Sequence, residues 1–300
     1  MGHKLRSILK SLLITIRSVW TIIGGFKNNV PGGLDRSTLV VLSFHHVRYG
    51  RYGLDPLLVQ KIMDPSFTRA YWEQAKDTLA LAQALQPGAD VIIGETSAAW
   101  HSGQCGVTDR FVGSFWYANV LGRMARGGAM AIARHSFNGG CYAMVNRTDM
   151  QPNPDFWIGL LFSLLMGDGV LDIRTMPAMP LALSGPRHAD LLVYAHTSRR
   201  FGAGPAKGAT LLLVNLSPTV AFSVNLSDAP GLMAPRYEYH ISADTLDSNV
   251  VRLNRRELQY GGGAELPTLL PGVLYNDTAE AIVVQPHTIV FVELPKASVY

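Results

Sequence analysis

Residues 89–100 of the chain read ADVIIGETSAAW, an apolar run that ends in a glycine, a glutamate and several small residues. Adjacent aliphatic residues behind a Pro-Gly pair predict a short buried β-strand over 89–95. Glu95 then lies at the carboxyl end of this strand, and none of the next four residues is bulky. The stretch therefore predicts an ionisable side chain at a strand end, with open space around it.

The segments on either side of this strand alternate in the same way between strands and helices. Apolar, β-rich runs predict further strands at 39–47 and 129–137. Helical spacing of apolar residues predicts helices at 65–85, 109–128 and 155–169. Alternating strands and helices are typical of the α/β class with a parallel sheet, whose strands are buried on both faces.

The pattern changes after about Val170, where helical spacing disappears and short strands follow one another between Pro, Gly, Asn and Asp residues. Such strands at regular spacing predict an antiparallel β-sandwich. We therefore predict an N-terminal segment of helical or undefined structure over 1–37, an α/β part over 38–172 and a β-sandwich over 173–300.

Composition indicates a folded protein with a mild excess of positive charge. Hydrophobic residues make up 48% of the 300 residues and charged residues 16%, which excludes a disordered chain. The formal net charge of +4 favours an acidic partner over a basic one. Cys105 and Cys141 are too few for a disulfide scaffold, and either one bridge or two free buried thiols fits the sequence.

Two features of the sequence bear on localisation. Four N-x-[ST] sequons favour a secreted glycoprotein and begin at Asn146, Asn215, Asn225 and Asn276. Basic residues precede the mostly apolar stretch 11–25, as in signal peptides and membrane anchors, although Arg17 interrupts it. We favour an amphipathic surface helix here. The expected localisation is secreted, extracellular, lysosomal or vacuolar, with membrane association left open.

Polar residues gather at the carboxyl ends of the three predicted strands. A His-His pair ends the first strand, Glu95 ends the second, and an Arg-His pair followed by Gly139–Tyr142 ends the third. Catalytic residues of (β/α) barrels lie at this edge. A carboxylate there, ahead of a β-sandwich, suits retaining glycoside hydrolysis, which needs two carboxyl groups about 5–5.5 Å apart. The alternative for Glu95 alone is a salt-bridged or capping glutamate.

Five segments carry a family resemblance: SFHHV at 43–47, GETSAAW at 94–100, FVGSFWYANVLGRMA at 111–125, ARHSFNGGCYAMVN at 133–146 and PNPDFWIGLLFSLLMGDGVL at 152–171. In this order they resemble the second half of the heparanase family, glycoside hydrolase family 79, with ordered matches over 38–295. The resemblance implies an α/β plus all-β fold. Its first part would be the C-terminal portion of a (β/α)8 TIM barrel, strands six to eight, followed by an antiparallel β-sandwich.

The resemblance also implies roles for individual residues. Glu95 matches the nucleophile, and the implied substrate-binding residues are His45, Trp100, Arg134, Gly140 and Tyr142. His46 alternates to the opposite face of its strand and is interpreted as structural. For Trp100, packing at the rim of the site is an equal alternative to stacking on a sugar, and Tyr142 has the alternative of packing within its loop.

The sequence departs from the family pattern at three places. Val47 replaces a tyrosine that can hydrogen-bond the nucleophile, and His135 replaces a glutamine. The family holds its acid/base in an Asn-Glu pair, and this chain has no Asn-Glu dipeptide. Loss of a general acid typically costs about 10²–10⁴-fold in rate.

The expected function is a heparanase-like retaining endo-β-glucuronidase, truncated and without its acid/base, that acts on a glucuronic-acid-containing polysaccharide such as heparan sulfate or a cell-wall glycan. The alternatives are a catalytically dead carbohydrate-binding or adhesion protein and a non-functional gene fragment. The expected partner is the polysaccharide. No nucleic acid, metal or organic cofactor is expected, and peripheral membrane association is left open.

Overall fold

The computed structural model describes residues 21–22, 41–46, 54–85, 90–173, 190–201, 208–226, 235–261, 266–275 and 280–297. Within them the chain forms a parallel α/β layer, followed by a layer of antiparallel strands. Val47 and Asn276 lie outside the described residues, so the departure at Val47 and the sequon at Asn276 stay predictions.

The α/β layer is built on a four-stranded sheet of β1 (Thr21–Ile22), β2 (Val41–His46), β3 (Asp90–Thr96) and β4 (Ala131–Arg134), in that order. β2, β3 and β4 run parallel, as the three apolar runs predicted. The carboxyl ends of these strands therefore lie on one edge of the sheet, where the predicted site residues follow them.

β1 is a correction to the predicted N-terminal segment. Within 1–37, which we expected to have helical or undefined structure, Thr21 and Ile22 form a strand that runs antiparallel to β2 and pairs with Ser43 and Leu42. Both residues are β-branched and favour extended backbone. The open edge of a sheet also presents unpaired backbone groups that recruit a further strand, and these two preferences act together here.

Helices follow the parallel strands in the predicted alternation, and the structure has α1 (Leu58–Met63), α2 (Pro65–Leu85), α3 (Phe111–Arg126) and α4 (Pro154–Leu165). The bounds of α2 are those that the sequence predicted, whereas α1 is a further helix that was not predicted from the sequence. In the described part of the chain, no helix combines the length and the apolar character that crossing a bilayer would require.

α3 lies at the centre of the core. Most of its residues are buried on all sides of the helix, including Phe111 and Trp116, and it contacts α1, α2, α4 and strands of both layers. A helix that is apolar all round belongs in the interior of a protein. Gly127 follows its last residue, in agreement with the predicted end.

α4 ends at Leu165, earlier than predicted, and the chain continues directly into a strand, β5 (Met166–Leu171). β5 pairs antiparallel with β6 (Leu191–Ser198), so the antiparallel layer begins before the expected boundary at 173. Gly167 explains the difference, since a Cβ atom there would lie 2.5 Å from the carbonyl oxygen of Thr197. This glycine permits close strand pairing, although it lies inside the helix that the sequence predicted over 155–169.

The remaining strands are β7 (Ala209–Asn215), β8 (Phe222–Val224), β9 (Arg236–Ser242), β10 (Arg252–Leu253), β11 (Arg256–Glu257), β12 (Val273–Tyr275), β13 (Ile282–Val284) and β14 (Ile289–Leu294). The larger sheet has the order β11-β10-β9-β14-β7-β6-β5, with β12 paired to β9. β8 and β13 form a separate two-stranded sheet.

The larger sheet is covered on both faces by apolar side chains. On one face, Leu212 and Phe291 belong to the core that also contains the helices. On the other face, Leu213 packs with Phe222 and Ile282 of the two-stranded sheet. The alternation of faces along a strand explains this division. The sequence predicted a β-sandwich, and the described residues form unequal layers, eight strands against two.

Candidate active site

A bulge in β3 determines the direction of Glu95. Phe44 of β2 pairs with Ile93, but the next residue, His45, pairs with Glu95, so that Gly94 is an extra residue in β3. The pairing of β3 with β4 shifts after Ile93 as well. Bulges often re-aim a side chain beside an active site, and a glycine within a strand often marks one.

The burial pattern of β3 shows the effect of this bulge. Val91 and Ile93 are 1% and 0% exposed, and Thr96 is 0% exposed, whereas Glu95 is only partly buried. Without a bulge, Glu95 would share the face of Val91 and Ile93, which pack in the helical core. The extra residue puts Thr96 on that face and turns Glu95 to the opposite one.

The loops after β3 and β4 are joined next to this strand end. Cys105 and Cys141 form a disulfide with a Cα–Cα distance of 4.7 Å, which settles the choice that the sequence left open. The backbone N–H of Cys141 donates to the carbonyl oxygen of Ser102 over 2.5 Å. The hydroxyl of Thr108 donates to the carbonyl oxygen of Cys141. The two loops are therefore held as one unit.

Two glycines allow the loops to approach this closely. A Cβ atom on Gly103 would lie 2.8 Å from the Cβ atom of Tyr142. A Cβ atom on Gly140 would lie 2.9 Å from the carbonyl oxygen of Ser102, and Gly140 has a φ of +75°. Gly140 was predicted as a substrate-binding residue. In the structure its lack of a side chain and its positive φ allow the two loops to come into contact at Ser102.

Tyr142 lies near Glu95, and the pKa of its phenol is raised. Burial raises the pKa of the Tyr142 phenol above its ordinary value, and the nearby Glu95 carboxylate raises it further. Hydrogen bonding with Ser102 and the charge of Arg134 act in the opposite direction. The ring of His135 meets the Tyr142 ring edge-on, with centroids 4.8 Å apart. The structure thus brings Glu95, Tyr142 and His135 together.

Arg134 is a correction, because its side chain does not lie at the open edge of the site. Its side chain is 3% exposed and forms an ion pair with Asp155, Nη2 to Oδ2 2.7 Å. Its guanidinium also lies over Trp116, 5.1 Å from the ring centre. The register pairs Arg134 with Thr96, which is on the helical face. Arg134 therefore holds β4 to the helices, and direct binding of substrate by this residue was a wrong prediction.

For His45 and Trp100, the structure gives only the backbone register of the first and the exposure of the second. The register puts the backbone of His45 next to that of Glu95. Trp100, in the loop after β3, has a side chain that is 37% exposed, which fits either of its two predicted roles. Among the residues that the structure describes, no group of three His, Cys, Asp or Glu side chains is arranged to hold a metal ion.

The sequon at Asn215 is a second correction. Asn215 is fully buried, and its amide nitrogen donates to the carbonyl oxygens of Val220, Val284 and Gln285. A side chain that is enclosed in this way cannot accept a glycan in the folded protein. Asn225 is exposed, so its sequon is compatible with the structure.

Sequence reasoning missed several parts of this site. The bulge at Gly94 had a signal, since glycine inside a strand often marks one. No sequence signal indicated the ring contact of His135 with Tyr142 or the hydrogen bond from the Thr108 hydroxyl to Cys141. Each interaction depends on how two distant loops meet. Ser102, which accepts from the Cys141 N–H, was missed for the same reason.

Comparison with known proteins gives this arrangement a context. The family model described as glycosyl hydrolase family 79, N-terminal domain, matches residues 28–122. Heparanase-like protein 1 of Arabidopsis thaliana is 31% identical over 283 residues, which cover 84% of this chain and 49% of that protein. Baicalin-beta-D-glucuronidase of Scutellaria baicalensis is 27% identical over 277 residues, 89% of this chain and 48% of that protein.

A solved structure supports the fold alone. The GH51 arabinofuranosidase from Xanthomonas axonopodis pv. citri superimposes with a TM-score of 0.57 at 12% identity, over 85% of this chain and 52% of that one. The family match and the relatives define the class of this protein as a member of a glycoside hydrolase family. The chain belongs to glycoside hydrolase family 79 as a heparanase-like member, which confirms the resemblance in its sequence. It spans about half the length of the curated plant relatives that it matches.

Proposed function

We propose that this protein carries the nucleophile of a retaining β-glucuronidase that acts on glucuronic-acid-containing polysaccharide, and that Glu95 is this nucleophile. The observation that carries the proposal is the bulge at Gly94, which turns Glu95 away from the helices at the carboxyl edge of the sheet.

In the proposed reaction, a carboxylate oxygen of Glu95 attacks the anomeric carbon of the sugar. The bond from that carbon to the leaving oxygen breaks, the leaving group takes the electron pair, and a glycosyl ester forms on Glu95. Water then attacks the same carbon, the bond to Glu95 breaks to restore the free carboxylate, and the proton that the water loses neutralises the departed leaving group. The Tyr142 phenol lies near Glu95 and, protonated at neutral pH like any ordinary tyrosine, can donate a hydrogen bond to the carboxylate.

The substrate class is supported by the names of relatives and by charge. One relative is named as a glucuronidase of baicalin, and several are named heparanase or heparanase-like proteins. The net charge of +4 suits an acidic substrate. The exposed Trp100 offers an aromatic face next to the site. These features favour a uronic-acid polymer over a neutral one.

A second candidate, binding of carbohydrate without turnover, is favoured by one observation. A retaining mechanism needs a carboxylic acid to protonate the leaving oxygen, and the chain has no Asn-Glu dipeptide, the pair in which the family carries that group. Natural glycosidic bonds have poor leaving groups and depend on this proton. Activated aryl glycosides do not, so they separate the two candidates.

We also propose secretion or delivery to a lysosomal or vacuolar compartment. The disulfide between Cys105 and Cys141 supports an oxidising environment. The exposed sequon at Asn225 supports passage through the secretory route. Glycopeptide mapping of the protein from its own cells would test both, since a protein without glycans and with reduced cysteines would contradict this proposal.

The experiment for the catalytic role uses a fluoroglucuronide with a dinitrophenolate leaving group. Glu95 should displace dinitrophenolate and keep the sugar as a slowly hydrolysed ester, which mass spectrometry would locate on the peptide that contains Glu95. Glu95→Gln should take no label. Glu73→Gln, at an exposed surface position, is the matched control and should label like the wild type.

The possible outcomes separate the two candidates. Release of dinitrophenolate with label on Glu95 supports the nucleophile. Saturable binding of a glucuronic-acid oligosaccharide without any label or release would favour the binding protein and overturn the catalytic role. Label on a different carboxylate would show that Glu95 has been assigned wrongly.

A further inference from the structure

We infer that a basic groove between α2, α3 and β6 is a second binding site, for a stretch of acidic polysaccharide. The groove has a volume of about 680 Å³. Its charged and aromatic lining residues are Arg69, Trp72, Lys76, Arg123, Arg126 and Tyr194. The choice of a polysaccharide rests on the proposed function, whereas the binding of anions rests on the groove itself.

The groove is separate from the candidate active site. α3 begins at Phe111, after the loop that follows β3, and ends next to the groove at Gly127. Its 16 residues span about 24 Å at 1.5 Å per residue. Met130 then donates to the carbonyl oxygen of Val91 at the start of β3. The groove thus lies toward the amino ends of the strands, and Glu95 lies at their carboxyl ends.

One face of α2 supplies half of the groove. Arg69, Trp72, Lys76 and Gln83 recur at intervals of three, four and seven residues, which is the spacing of a single helical face. Arg69 and Lys76 are exposed, and Trp72 lies between them along the helix. The two cations offer charge to acidic groups, whereas the Trp72 ring is partly buried and packs against the core.

The positive charge of the groove is only partly neutralised. Lys76 and Glu73 are 3.5 Å apart, with side chains 59% and 56% exposed. Arg126 and Asp172 are 3.1 Å apart, with side chains 59% and 73% exposed. Exposed pairs of this kind are screened by solvent and are easily exchanged for another anion. Their cations therefore stay available to a ligand.

Arg123 is held by neutral groups. Its Nε donates to Asn119 over 2.9 Å, and its guanidinium lies beside the Tyr194 hydroxyl, where it opposes the effect of burial on the pKa of Tyr194. The described lining contains four cationic side chains and no carboxylate. Guanidinium groups bind carboxylate and sulfate in a bidentate way, so an acidic sugar chain fits this lining.

The test measures binding of a heparin octasaccharide by calorimetry, with maltooctaose as the neutral control. The variant is Arg69→Gln with Lys76→Gln, two exposed positions on α2 whose replacement should leave the fold intact. Its affinity should fall about tenfold or more, as expected when charged hydrogen bonds are removed. The matched control is Arg199→Gln with Arg256→Gln, which removes the same charge at exposed positions outside the groove.

Three results would overturn the inference. Equal losses in the two double variants would show that only net charge matters. Unchanged affinity in the groove variant would place the ligand elsewhere. If free sulfate saturated the groove as tightly as the octasaccharide, the ligand would be a small anion. Labelling of Glu95 by the fluoroglucuronide should be the same in the groove variant as in the wild type, so failure of the catalytic role is measured independently.

Discussion

Cys105, in the loop after β3, is bonded to Cys141, in the loop after β4. The residue that follows Cys141 is Tyr142, whose phenol lies near Glu95. The disulfide thus fixes the distance between the loop that carries this tyrosine and the strand that carries the carboxylate. Four predictions follow from this and from neighbouring features.

The first prediction concerns the disulfide. Replacing both cysteines, Cys105→Ser with Cys141→Ser, should lower the free energy of unfolding by roughly 2–4 kcal/mol, because the closed loop no longer restricts the unfolded chain. Urea unfolding would measure this loss, and labelling of Glu95 should become slower. Dithiothreitol should produce the same changes in the wild type and none in the double variant. If the double variant unfolded at the same urea concentration as the wild type, the disulfide would not stabilise the protein and the prediction would be wrong.

The second prediction separates backbone strain from close contact. Gly140→Ala should destabilise the protein more than Gly106→Ala, although both glycines have a positive φ. A Cβ atom at Gly106 meets nothing within 4 Å, whereas one at Gly140 meets Ser102. Left-handed backbone costs alanine roughly 1–2 kcal/mol at either site, and the contact adds to this only at Gly140. Equal losses would show that the loop at Gly140 relaxes freely.

The third prediction tests the corrected role of Arg134. Arg134→Met should lower the free energy of unfolding by roughly 3–5 kcal/mol, since it leaves the Asp155 carboxylate buried without its partner. Asp155→Leu should have a similar effect. The double variant should be more stable than the sum of the two losses predicts. A residue that bound substrate would behave differently, with normal unfolding and weaker binding of a glucuronic-acid oligosaccharide.

The fourth prediction concerns pH. His196 is 4% exposed, and its burial lowers its pKa, opposed by Gly167 and Asp168. The folded state therefore favours the neutral ring. The stability that this provides is present above the unfolded pKa of about 6.5 and is lost as the pH falls from there toward the lower folded pKa. Urea midpoints at pH 7.5 and 5 should differ less in His196→Gln than in the wild type.

Other ionisable groups with shifted pKa values also affect the pH dependence and define the control. Burial lowers the pKa of His287 in the same direction, and it raises the pKa values of Asp155 and Glu293, which has the opposite effect on the pH dependence. His287, Asp155 and Glu293 are present in both the wild type and the His196→Gln variant. The difference in pH dependence between these two proteins therefore comes from His196. An identical pH dependence in both proteins would contradict the prediction.

Much of the α/β layer could be predicted from the sequence, because its signals are local. α2 keeps its predicted bounds at Pro65–Leu85, since a helical period over a long segment with a proline start leaves few alternatives. The three parallel strands were predicted for a similar reason. β5 was not, since the stretch with Gly167 and Gly169 looks like the end of a helix in the sequence, whereas in the structure both glycines lie close to Thr197 of the paired strand.

The site was predicted less completely, because its residues depend on register. Glu95 was identified by its place at a strand end, but its direction depends on one extra residue, Gly94, opposite β2. Arg134 has the same kind of position in the sequence, yet its register with Thr96 turns it into the core. A shift of one residue exchanges the two faces of a strand, and no local pattern reports such a shift.

The burial of α3 between the two layers has a thermodynamic consequence. Gly122 has no side chain where the ring of Tyr194 from the β layer lies, and a Cβ atom there would be 2.3 Å from that ring. The Tyr194 hydroxyl also donates to Asn119 of the same helix. Neither layer can therefore open without exposing a helix most of whose residues are buried. Heat or urea should melt both layers in one cooperative step, and a cut after Leu165 should leave two insoluble pieces.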